Sequence, residues 1–155
     1  MGCCMTSEAD CFTRTLNAEE RLLEMSGLPL DNFERKFTEI EIDGAPFQVR
    51  TIIYGGDSGQ KKTLVMTHGF LLSAVCFWKI LKKLSEHYRL VLFDNMGNGL
   101  NTQRQECPAL HEGIDACEDW MIEWWTKLID ALDLPEKFLL AAHSIGGYQA
   151  MLYAS

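Results

Sequence analysis

The residues best suited to chemistry are Ala142-His143-Ser144-Ile145-Gly146-Gly147, where an apolar run gives way to a helical pattern. This is the G-x-S-x-G pattern of a nucleophile elbow, with Ala142 in place of the first Gly. A serine on so sharp a strand-to-helix turn needs small neighbours two residues before and two after it. Ala142 and Gly146 satisfy that demand, and Gly147 is expected to let the helix approach a neighbouring strand. The turn would expose the Ser144 hydroxyl as a nucleophile for acyl transfer. It would also set the Ile145 N–H at a helix N-terminus, where it can stabilise an oxyanion. A second donor is expected from Phe70, because His68-Gly69-Phe70 directly follows the apolar run Thr63–Thr67. Asp94-Asn95-Met96-Gly97-Asn98-Gly99 follows the next apolar run and supplies a glycine-rich turn. His143 precedes Ser144 on a strand, so its side chain should point away from the hydroxyl. His87 and His111 read as surface residues.

Three short apolar runs carry these motifs: Thr63–Thr67, Leu90–Phe93 and Lys137–His143. Each suits a parallel strand buried on both faces. Helical spacing separates them. Phe77, Ile80, Leu81 and Leu84 share one face, and Ile114–Leu132 forms a long apolar stripe that includes Trp124 and Trp125. The tryptophans Trp120, Trp124 and Trp125 are expected to pack on the sheet rather than form a membrane belt. Strands alternating with helices imply βαβ units and a mostly parallel sheet with flanking helices, an α/β fold. Upstream, residues 37–54 read as a hairpin turning at Asp43-Gly44-Ala45-Pro46. Asn17 and Glu20 resemble a capping box that opens a short helix ending near Gly27.

Composition narrows the function classes. The chain has 155 residues and a formal net charge of -8, which argues against a nucleic-acid binder needing a basic stripe. No apolar run approaches the roughly 18–20 residues that span a bilayer. The N-terminus has no signal-peptide core. The six Cys form no C-x-x-C pair and no zinc-finger spacing with His, so no metal site is expected. Cys76 and Cys117 read as small buried apolar groups. The turn after Thr67 is His-Gly-Phe-Leu-Leu rather than G-x-G-x-x-G, which disfavours a dinucleotide cofactor. No cofactor is expected.

The chain opens Met-Gly-Cys-Cys-Met-Thr, which fits the N-myristoylation pattern with Gly2 as acceptor. One myristoyl chain binds a bilayer marginally, with K on the order of 10⁴ M⁻¹, so a second signal is needed. No Lys or Arg precedes Arg14, so that signal would be palmitoylation of Cys3 or Cys4. The expected location is the cytoplasmic face of a membrane, held by lipid rather than by charge, with the cytoplasm as the alternative.

From about Phe37 to Ser155 the chain resembles the N-terminal half of an α/β-hydrolase. The H-G-F loop, the D-x-x-G-x-G turn and the A-H-S-I-G-G elbow carry the resemblance. Residues 79–94 and 137–153 are similar to the lipid-acting branch of lysophospholipases, N-acyl-phosphatidylethanolamine lipases and lipase co-activators. The resemblance implies Ser144 as nucleophile, Phe70 and Ile145 as oxyanion donors, His68 as a shaper of the loop, and a lipid or other ester as substrate. Relatives with an Asp nucleophile, the epoxide hydrolases and haloalkane dehalogenases, are disfavoured by Ser144. The expected organisation is an acylation segment and short helix over 1–35, then the first half of a hydrolase domain over 36–155, cut after the elbow. In this family the acid and the base follow the nucleophile along the chain. The 155 residues alone are therefore expected to be inactive, poorly soluble and to expose an apolar patch. The alternative is a membrane-tethered fragment that binds lipid or protein without turnover.

Overall fold

The structure, a computed structural model, describes residues 8–56, 61–101 and 112–155. Gly2, Cys3, Cys4 and His111 lie outside the described residues. Helix α1 (Glu8–Met25) leads through a short 3₁₀ turn to strand β1 (Phe33–Ile42) and strand β2 (Ala45–Tyr54). Strand β3 (Lys62–Thr67), helix α2 (Trp78–Ser85) and strand β4 (Tyr88–Phe93) follow. Helix α3 (Ile114–Ala131), strand β5 (Leu139–Ala142) and helix α4 (Ile145–Ala154) complete the order.

The five strands form one mixed sheet in the order β1-β2-β4-β3-β5. β4, β3 and β5 are mutually parallel, while the β1–β2 hairpin joins β4 in antiparallel sense. The hairpin thus extends the same sheet. Its turn is tighter than the sequence suggests: Asp43 (φ 52°) and Gly44 (φ 68°) make a two-residue loop, and Ile42 already pairs with Ala45. Positive φ at both central residues suits the natural strand twist.

Period-two alternation in the central strands explains the two cores. Val65, Val91 and Phe93 face one side with Phe47 and Val49, where α3 lays Trp124, Trp125 and Leu128 against them. Leu64, Met66, Leu90 and Leu92 face the other side, covered by Leu23 of α1 and Leu81 of α2. Trp120, Trp124 and Trp125 are all buried, as expected of sheet packing. Cys117 is half-buried against the first core, and Cys76, in the turn Ala74–Phe77, is also half-buried. Leu139, Ile145 and Met151 are exposed on and beside β5, whose outer edge pairs with no described strand. No described helix is long and apolar enough to cross a membrane.

Helix α1 is longer than its capping pattern implied, and Asn17 lies in its interior rather than at its start. It is fixed to the sheet by a buried ion pair. Arg50 of β2 donates from Nε to Glu19 Oε2 at 3.0 Å and from Nη2 to Glu19 Oε1 at 2.5 Å. Both residues are about 95% buried, at 5% and 6% exposure. The guanidinium also lies 5.0 Å from the Phe37 ring centroid. Removing one partner of such a pair strands the other charge in the interior. Glu19→Ala is expected to lower stability by about 3 kcal/mol, read by urea denaturation. A loss below 1 kcal/mol would show that Arg50 finds water or another acceptor.

Candidate active site

Chain direction locates the site before any side chain does. The connection after β3 runs to α2 on one face of the sheet, and the helix after β5 lies on the other, with Ala150 in the α3 core. β3 and β5 are neighbours, with Thr67 opposite Ala142. Connections that diverge to opposite faces leave a crevice at the carboxyl ends of adjacent parallel strands. The His68-Gly69-Phe70 loop and Ser144 stand at these two ends.

Ser144 is the N-cap residue of α4, with φ 56° and ψ -127°. A residue with a Cβ rarely adopts this backbone, which costs on the order of 1–3 kcal/mol and persists where surrounding structure enforces it. The enforcing contacts are visible. A Cβ on Gly146 would come closer than 3.0 Å to the His68 carbonyl oxygen, and one on Gly69 would sit 2.9 Å from both Ser144 Cβ and His143 Nδ1. The loop and the elbow therefore touch through two glycines. Gly147 has nothing within 4 Å of where its Cβ would be, so the close approach expected of it belongs to Gly146.

Ser144 is solvent-exposed. Ile145 opens α4, where a first-turn N–H has no intrahelical acceptor. Phe70 follows Gly69 in the loop, and its side chain is 71% exposed. The fold thus brings Ser144, Ile145 and the Phe70 loop together. It places His143 beside Gly69 as well, nearer the loop than strand alternation suggested. No described His, Asp or Glu hydrogen-bonds the Ser144 hydroxyl.

His68 is fully buried and both its ring nitrogens are committed. Asn95 N–H donates to Nε2 at 2.9 Å, so Nε2 is unprotonated; Nδ1 then carries the hydrogen and donates to Gly69 O at 2.7 Å. Burial holds its pKa below the ordinary imidazole value; the Gly69 carbonyl opposes this and His143 reinforces it. Asp94 Oδ1 lies 3.6 Å from Nε2, but this neutral tautomer makes no ion pair with it. His68 is accordingly a shaper of the loop and not a base for Ser144.

Asp94 organises the next loop. Its carboxylate accepts from Ala74 N–H at 2.6 Å and Leu100 N–H at 2.8 Å. A Cβ at Gly99 (φ 60°) would collide with that carboxylate, so the glycine-rich turn wraps it directly. Three asparagines, whose roles the sequence alone does not reveal, tie the turn down. Asn95 accepts from Thr67 Oγ1 at 2.7 Å and donates to His68 O. Asn98 accepts from Leu71 N–H at 3.0 Å. Asn101 accepts from Arg50 N–H at 2.7 Å and donates to Asp94 O and Asn95 O. The available signal was their spacing of three within a loop that follows a buried strand.

Residues 62–155 match the family model described as alpha/beta hydrolase fold. The chain belongs to the α/β-hydrolase family. A 1-acylglycerol-3-phosphate O-acyltransferase of Arabidopsis thaliana is 30% identical over 107 residues, covering 68% of this chain and 24% of that protein. The abhydrolase domain-containing protein abhd-5.2 of Caenorhabditis elegans is 29% identical over 142 residues, covering 87% of this chain and 31% of that one. Among solved structures, a naproxen esterase of Bacillus subtilis superposes with a TM-score of 0.67 at 21% identity, over 96% of this chain and 45% of that chain. The chain spans about a quarter to a third of the length of these curated relatives.

Desolvation raises the Asp94 pKa to about 6, against the opposing pull of the Leu100 and Ala74 N–H groups. A carboxyl with a raised folded pKa holds its proton more tightly in the native state. Its contribution to stability is therefore full below the unfolded value near 3.8 and declines as pH rises to about 6. Urea denaturation at pH 4.5 and 7.5 should show wild type losing more stability across that window than Asp94→Asn. Equal losses would place the Asp94 pKa near its unfolded value.

Proposed function

We propose that this chain carries the nucleophile and oxyanion donors of a serine hydrolase that cleaves lipid or other carboxylic esters through an acyl-enzyme on Ser144. The observation that carries this reading is the strained Ser144 backbone at the strand end, set against Gly69 of the loop. On this reading Ser144 Oγ attacks the ester carbonyl, and Phe70 and Ile145 N–H groups receive the developing oxyanion. The alcohol leaves, and water then hydrolyses the acyl-enzyme. A serine hydroxyl is a weak nucleophile without a base, and no described base touches it. On this reading the acid and base come from residues other than those described, and the described residues by themselves are expected to be inactive. A lipid substrate is supported by the acyltransferase named above, whose name concerns an acylglycerol phosphate. The lack of a base at Ser144 among the described residues favours a second reading, a lipid- or protein-binding piece without turnover.

The Met-Gly-Cys-Cys-Met-Thr start supports a membrane anchor: myristate on Gly2 and palmitate on Cys3 or Cys4, holding the protein at the cytoplasmic face. α1 begins immediately after this segment.

Expressed from its full reading frame, the protein is expected to turn over p-nitrophenyl and lysophospholipid esters. Ser144→Ala should lower kcat about 10⁴-fold or more. Turnover that survives this change would sink the hydrolase reading, while no turnover by the wild type would favour the binding one. Metabolic labelling with a myristate analogue should mark the wild type and not Gly2→Ala. Equal labelling or equal membrane association of the two would remove the anchor.

A further inference from the structure

We propose that Asn95 and Asn98 are positioning residues that hold the 68–71 loop in the shape required of an oxyanion hole. The proposal rests on the hydrolase reading of Ser144 and concerns how the Phe70 N–H is aimed. Two tethers reach the loop from the turn after β4, one on either side of Phe70. On the buried side, Asn95 Nδ2 donates to His68 O while Asn95 Oδ1 accepts from Thr67 Oγ1 at 2.7 Å. The Asn95 N–H meanwhile fixes the His68 ring at Nε2. His68 O is the same carbonyl that Gly146 packs against, so Asn95 also sets the seat of the elbow. On the outer side, Asn98 Oδ1 accepts from Leu71 N–H at 3.0 Å, and Asn98 Nδ2 is anchored on Met96 O at 2.9 Å.

Leu71 makes the second tether informative. Its φ is 58° and its side chain is 79% exposed. A leucine in the left-handed region is disfavoured, and an exposed side chain offers no packing to hold it there. The hydrogen bond that Leu71 N–H donates to Asn98 supplies that hold. The peptide planes on either side of the Gly69–Phe70 peptide, which bears the Phe70 N–H, are thus pinned at His68 O and at Leu71 N–H. An oxyanion donor acts only if it points, before reaction begins, at the place where charge develops. Each asparagine reaches across 27 residues of sequence to secure this. Neither side chain is required to touch substrate.

Asn98 is half-buried and gives the cleaner test, because Asn95 is buried and its loss could unfold the loop. Protein from the full reading frame is assayed on a neutral p-nitrophenyl ester, with active sites counted by a fluorophosphonate probe so that kcat is per competent Ser144. Ser144→Ala is run first; activity surviving there defeats the hydrolase reading itself, independently of the asparagines. With that control inactive, Asn98→Ala is expected to lower kcat about tenfold, less than the loss of a whole donor, with KM within twofold. Amide hydrogen exchange should quicken over residues 69–72. Asn98→Asp keeps an acceptor for Leu71 N–H and should restore most of the lost kcat. An unchanged kcat in Asn98→Ala, a change confined to KM, or a failure of Asn98→Asp to recover activity would overturn the proposal. Asn95→Ala, if it folds, should show the same split between kcat and KM.

Discussion

The approach of Gly146 to the carbonyl oxygen of His68 is the constraint on which the site depends. It requires α4 to begin directly against the carboxyl end of β3. From that single contact follow the glycine at 146, the positive φ of Ser144, and the exposure of its hydroxyl. The strain at Ser144 is sustained because the elbow cannot relax toward β3 without displacing the loop, and the loop is fixed by hydrogen bonds from behind. Layers on both faces of the sheet keep the two strand ends from drifting apart. α3 and its tryptophans hold one side, and α1 with α2 holds the other.

The polar interior behind the loop is almost wholly backbone-directed. Asp94, Asn95, Asn98 and Asn101 spend most of their donors and acceptors on main-chain groups. Such bonds fix chain geometry rather than recognise a ligand. They also satisfy N–H and C=O groups that a buried loop would otherwise leave unpaired. Arg50 joins this network to α1. Its main chain serves Asp94 N–H and Asn101, while its guanidinium holds Glu19. The helix nearest the N-terminus and the turn behind the site therefore share one residue of β2.

The strands were legible because burial on both faces leaves no alternation to confuse, only short apolar runs closed by turn residues. The strained turn at Ser144 and the small residue at Gly146 were legible because their steric demands are local. Helix α1 was read short: its first half is polar and exposed, and a capping-like Asn17 lies inside it. Gly147 was credited with a contact that Gly146 makes, since adjacent glycines look alike until the neighbouring strand is placed. The asparagine tethers were invisible for a different reason. Each joins residues far apart in sequence, and no periodicity records a hydrogen bond that exists only after the sheet has formed.

The commitment of both His68 nitrogens has a consequence for any future pH–rate profile. A histidine close to an exposed, strained serine invites assignment as the group whose titration shapes the curve. Here the ring donates from one nitrogen, accepts at the other and is buried, so its proton inventory stays constant across the neutral range. To gain a proton it would have to turn the Asn95 N–H away from Nε2, and the loop would move with it. The limbs of a bell-shaped profile must therefore be assigned to other groups. The imidazole of the 68–71 loop is a fixed strut rather than a participant in proton transfer.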